Sequence, residues 1–116
     1  MTLAQQAAAY IAALGWGPPK VALFTQVDHS TIRKWLREAA ANDAGESLGF
    51  KVDASRVMHL QALAALQRLA PGLTLRLPSA MPDQWLAEIA GCRPVLAAWE
   101  TSPEEVRRLA VVRDGA

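Results

Sequence analysis

The sequence predicts a mainly α-helical protein: a helix-turn-helix core, additional helices, and room for a small two-stranded hairpin near the C-terminus. Three observations carry this. Much of the 52% hydrophobic fraction is alanine, the strongest helix former, and runs of β-branched residues are few. Apolar residues recur at helical spacing along most of the chain from Leu3 to Leu69. Between them, residues 20–38, KVALFTQVDHSTIRKWLRE, set two helices on either side of a short turn.

With 116 residues the chain forms one compact domain with at most a small appendage, and buries roughly two thirds of its unfolded surface without staples. We divide it into a helical helix-turn-helix domain with an oligomerisation helix, residues 1–70, and a small α+β extension packed on it, residues 71–116.

The first helix is signalled by Thr2 and Gln5, which fit a capping box, and by Leu3, Ala7, Tyr10, Ile11 and Leu14, with Gly15 as its stop. Pro18 and Pro19 suit the first turn of a short second helix that runs from about residue 19 to 25. Gln26, Val27 and Asp28 break the periodicity. A third helix then runs from residue 29 to about 41, with Ile32, Trp35, Leu36 and Ala39 inward and Arg33, Lys34 and Arg37 outward.

Residues 42–49 are polar and acidic and read as a surface loop, with Leu48 and Phe50 able to tuck back onto the core. Asp53 caps a fourth helix from 54 to about 70, which Pro71 and Gly72 end. Its apolar residues Val57, Met58, Leu60, Leu63, Ala64, Leu66 and Leu69 cover more than one stripe, so it is either central or buried by a second subunit. Leu73 to Leu77 alternates strictly and predicts a half-buried strand; residues 94–99 are ambiguous by pattern and are read as a second strand able to pair with it. A helix from 79 to 90 ends at Gly91. Ser102, Pro103, Glu104 and Glu105 start a last helix with cap, first-turn proline and N-terminal acids together.

The composition also excludes function classes. Cys92 is the sole cysteine, so no internal disulfide forms, and with only His29 and His59 beside it the chain offers no convincing zinc set. Neither a phosphate loop nor a nucleophile elbow nor a zinc-protease helix occurs, and the Glu104–Glu105 pair is explained by helix capping. We therefore expect no enzyme activity, no cofactor and no metal. The four tryptophans are assigned to packing, and His59 and Cys92 are each read as a packed or surface residue. With no Lys or Arg before Lys20 and an apolar run at 7–17 too short to span a bilayer, a cytoplasmic protein without membrane contact is expected.

A net charge of +1 rules out a broad basic coat, so any nucleic-acid contact must be local. The helix-turn-helix pattern needs a small residue where its helices cross, an apolar residue in the turn and two apolar anchors three apart in the reading helix. Ala22, Val27, Ile32 and Trp35 supply these in register. Thr25 departs from the pattern, where an apolar residue is commoner, and so does Gln26, where glycine is favoured. On this reading Arg33 and Arg37 pair with guanine edges or phosphates, and Lys34 with phosphates. His29, Ser30 and Thr31 lie at the helix start that approaches the major groove. Lys20 and the N–H groups at the start of the preceding helix hold the flanking backbone. The bland alternative is a helical hairpin whose charges merely solvate it.

Residues 10–66 also resemble the N-terminal part of the C subunit of the bacterial flagellar master activator, the FlhC family. The matching features are Leu14-Gly15 ahead of the helices, the turn Thr25-Gln26-Val27-Asp28, the apolar and basic helix from Ile32 to Arg37-Glu38, and Leu48-Gly49-Phe50-Lys51. The chain lacks that family's C-terminal zinc-binding cysteines. The resemblance implies a bacterial transcriptional activator component that works with a second subunit. The expected function is thus sequence-specific binding of double-stranded DNA in transcriptional control, as a homodimer or with a second regulatory subunit. The alternative is a helical protein-interaction subunit of a regulatory complex without DNA contact.

Overall fold

Helices account for all the regular structure among the described residues, which are 2–42 and 56–114 of a computed structural model. They are α1 (Leu3–Leu14), α2 (Pro18–Thr25), α3 (His29–Asn42), α4 (Arg56–Leu69), α5 (Asp83–Ala90), α6 (Arg93–Ala98) and α7 (Pro103–Asp114). Asn42, expected to open the loop at 42–49, instead ends α3; the rest of that loop, the tucking of Leu48 and Phe50 and the Asp53 cap lie outside the described residues.

Local chemistry sets the first boundaries. The Thr2 hydroxyl accepts the Gln5 N–H at 3.1 Å and the Gln5 side chain accepts the Thr2 N–H at 2.7 Å, closing the capping box. Gly15 ends α1 in the left-handed region at φ 68°. Inside it, Ala4, Ala7, Ile11 and Leu14 join the apolar core. Small side chains on this face let α1 lie closely along α3 and α4.

The fourth helix is the central element, in contact with α1, α2 and α6. That placement accounts for its excess of apolar surface: Leu60, Ala62, Leu63, Ala64 and Leu66 are buried from several sides. Its first turn remains open, with Val57 and Met58 exposed. One continuous core runs from Ala4 through Ile32, Leu63 and Ile89 to Val106, so the C-terminal segment packs on the same interior as the N-terminal helices.

The C-terminal part differs from the expected hairpin, since no strand occurs among the described residues. Residues 94–99 belong to α6 and its end, with Pro94 in the first turn, where a missing N–H costs nothing. The segment 73–77 lies in neither a helix nor a strand. Its alternation still reports the faces: Leu73, Leu75 and Leu77 pack against the core, while Thr74 and Arg76 face outward. A side chain takes the place of the missing strand. The Gln67 amide donates to the Arg76 carbonyl at 3.0 Å and accepts the Arg76 N–H at 3.4 Å. The fifth helix begins at Asp83, not at 79. Pro82 disfavours helical backbone in the residue before it and serves as the extended N-cap. At the last helix Ser102 Oγ accepts the Glu105 N–H at 3.3 Å, as its start signals predict.

Candidate nucleic-acid interface

Two helices and the turn between them build the site. Gly17 opens α2 in extended geometry, and Pro18 and Pro19 occupy its first positions. Neither proline has an N–H. The expected row of backbone donors at this helix start is therefore reduced, and in this turn the Lys20 ammonium carries most of what could meet a phosphate. That ammonium lies 4.4 Å from the Trp16 ring centroid and 5.9 Å from that of Phe24.

Those rings are part of a half-buried aromatic cluster. Trp16 stacks on Trp85 at 6.0 Å, Phe24 lies 5.0 Å from Trp16 and 5.5 Å from Trp85, and His59 meets the Trp16 ring edge-on. Arg56 covers Trp85 and pairs with Glu88. The cluster joins α2, α4 and α5, and so fixes the helix-turn-helix on the rest of the molecule. Packing is the role expected of the tryptophans, and Trp16 and Trp85 meet here; His59, expected as a packed or surface residue, is half-buried against Trp16. Trp35 and Trp99 are buried in the core.

The turn explains both departures from the pattern. Thr25 is fully buried, yet its hydroxyl is satisfied: it donates to the Val21 carbonyl at 2.6 Å and accepts the Val27 N–H at 3.2 Å. Its carbonyl accepts from Gln67 Nε2 at 2.9 Å. Gln26 occupies the left-handed region at φ 64°, the conformation for which glycine is favoured there. Its side chain is tied down, since Gln26 Oε1 accepts from Arg76 Nε at 3.0 Å. Val27 is buried beneath the turn, as the pattern requires.

In α3 the inward and outward faces separate as the helical period dictates. Ile32, Trp35 and Ala39 are buried and Leu36 is half-buried, while Ser30, Arg33, Lys34 and Arg37 are exposed. Arg33 and Arg37 flank a shallow concavity floored by Leu36 and Ala40. Neither arginine has a carboxylate partner among the described residues. Lys34 approaches Glu38 at 3.9 Å, an exposed pair that costs little to open. Asp28 accepts the Ser30 hydroxyl, so the Ser30 proton is already engaged at the helix start. His29 and Thr31 sit half-buried on the two flanks, and His29 Nε2 is enclosed with no hydrogen-bond partner among the described residues.

Of the seven side chains expected to read or hold DNA, the fold thus gathers Ser30, Arg33, Lys34 and Arg37 on one solvent face. It sets His29 and Thr31 beside them and Lys20 apart on the aromatic cluster. Sequence reasoning missed Gln67, although its position four residues after Leu63 and seven after Leu60 puts it on the buried stripe of α4. It also missed the link from Gln26 to Arg76. Among the described residues no group of His, Cys, Asp and Glu is placed to hold a metal, and no helix is long and apolar enough to cross a membrane. Compared with known proteins, the chain matches no family model, no curated protein and no solved structure.

Proposed function

We propose that the chain is a sequence-specific, duplex-DNA-binding transcriptional regulator that acts as a dimer or with a partner subunit. One observation carries this reading: a left-handed residue at Gln26 over a buried Val27 turns the chain into a helix whose outer face holds Arg33, Lys34 and Arg37, with no carboxylate on either arginine among the described residues. A helix is the element that the major groove admits, and free guanidiniums are the groups that pair with guanine edges and phosphates. Against a chain charge of only +1, this local set of cations favours a seated reader over a nonspecific coat.

One reading helix of this size offers few base contacts, so useful specificity calls for a second copy or a second subunit. The resemblance to the flagellar activator's C subunit points the same way. Exposed Leu23, Val57 and Met58 supply apolar surface for such a partner. The same three exposed residues favour the second reading, a protein-interaction subunit that leaves DNA untouched.

Selection of bound sequences from random duplexes, followed by affinity against salt, separates the two. Phosphate contacts make log K fall linearly with log salt, by about 0.9 per contact. A selected site and such a slope are expected, and Arg33→Ala is expected to cost about 1–3 kcal/mol on that site. Folded protein that recovers no sequence and shows no salt-dependent binding at low salt refutes the DNA reading and leaves the interaction subunit.

A further inference from the structure

We propose that Arg76, which lies outside the helix-turn-helix, is a phosphate-binding residue that grips the duplex backbone beside the turn. The inference rests on the DNA-binding reading above and adds to it a contact from the C-terminal half of the chain.

The backbone of Arg76 is held from both sides. Buried Gln67 donates to its carbonyl at 3.0 Å and accepts its N–H at 3.4 Å, so a segment that no strand pairs among the described residues is fixed at this residue. The side chain is then aimed. Its Nε donates to Gln26 Oε1 at 3.0 Å, which anchors the guanidinium at the left-handed residue of the turn and leaves its two terminal nitrogens as donors.

No carboxylate neutralises this group among the described residues. Arg56 and Arg68 behave differently: Arg56 is spent on Glu88, and Arg68 on the Ala98 carbonyl and Glu100. Arg76 is exposed and keeps its fork unspent. A guanidinium already fixed at Nε loses little freedom on binding, which suits a planar fork to a phosphate.

Its location matches the reader. Gln26, Val27, Asp28 and Thr31 line one concavity of about 210 Å³ with Ala70 and Leu73, so the segment leading to Arg76 abuts the turn and the first turn of α3. Thr31 is three residues from Lys34, hence its neighbour on the helix surface. Through its bond to Gln26, Arg76 is thus held at the turn that precedes α3, beside the helix start that the DNA reading brings to a groove. The competing explanation is that the Gln26–Arg76 bond only fastens a loop to a turn.

The test measures fluorescence anisotropy of the full chain on its selected duplex and on an unrelated duplex, across about 50 to 200 mM salt. The wild type is compared with Arg76→Gln, Arg76→Lys and Arg33→Ala, each first shown to be folded by circular dichroism. Arg76→Gln is expected to lower the salt slope by about 1 and to weaken both duplexes by the same factor, while Arg76→Lys restores the slope. Loss of affinity without a change of slope, or no change at all while Arg33→Ala weakens the selected site, overturns the role of Arg76 and leaves the DNA reading standing. A wild type that binds neither duplex in a salt-dependent way overturns both.

Discussion

Replacing Gln67 by leucine tests how the two halves of the chain are held together. Gln67 is 1% exposed and its amide serves three elements: Nε2 donates to the Thr25 carbonyl at 2.9 Å and to the Arg76 carbonyl at 3.0 Å, and Oε1 accepts the Trp99 indole N–H at 2.9 Å. Leucine fills nearly the same volume and makes none of these bonds. Trp99 is 2% exposed and Thr25 is fully buried, so their N–H and carbonyl are stranded without water. Each stranded group costs about 1–3 kcal/mol. The Arg76 groups lie on a segment that reaches solvent and lose less. Leucine recovers about 1 kcal/mol or more as apolar transfer. The net loss is about 1–5 kcal/mol, set against the roughly 5–15 kcal/mol that holds a domain folded. Urea unfolding followed by circular dichroism measures it. A cycle with Trp99→Phe isolates the indole bond: phenylalanine removes the stranded donor, so the double variant should lose less than the sum of the singles, by about 0.5–3 kcal/mol. A Gln67→Leu cost under about 0.5 kcal/mol, or strict additivity in the cycle, refutes the reasoning.

Two backbone predictions use the same unfolding assay. At Gly15 the φ is 68° and an added Cβ meets nothing within 4 Å, so Gly15→Ala should cost about 1 kcal/mol from conformation alone; a neutral result removes the left-handed cap as a determinant of where α1 ends. Gln26→Val should cost about 2 kcal/mol, because a β-branched residue suits the left-handed region poorly and the bond to Arg76 is lost; Gln26→Gly should cost clearly less, and equal losses would show that the side-chain bond dominates.

The N-terminal helices were legible because their signals are local. Thr2 with Gln5, Gly15, and Pro18 with Pro19 each act within a turn of the boundary they set, and the stripe of Ile32, Trp35 and Ala39 needs only the helical period. The C-terminal half was misread where a local pattern was asked to supply a partner. Alternation in Leu73 to Leu77 correctly reports which side chains face the core, but a strand requires another backbone, and residues 94–99 coil into α6 instead. Gln67, a single polar residue on an apolar stripe, carries part of what that backbone would have provided. Whether α4 was central or an oligomerisation helix depended on how many neighbours reached it, which periodicity does not encode.

The candidate site divides along the same line. That Arg33, Lys34 and Arg37 share a face follows from spacing, and the fold places them there. Thr25 and Gln26 counted against the pattern because their compensation is distant in sequence: the Thr25 carbonyl is satisfied from 42 residues away, and the Gln26 side chain from 50. A buried hydroxyl and a strained left-handed glutamine are tolerated at the turn because α4 and the segment after it have already been brought there. The turn's geometry is thus tied to the C-terminal half of the chain. Loosening Gln67 should therefore disturb the presentation of α3 as well as the core, although Gln67 lies in neither the turn nor α3.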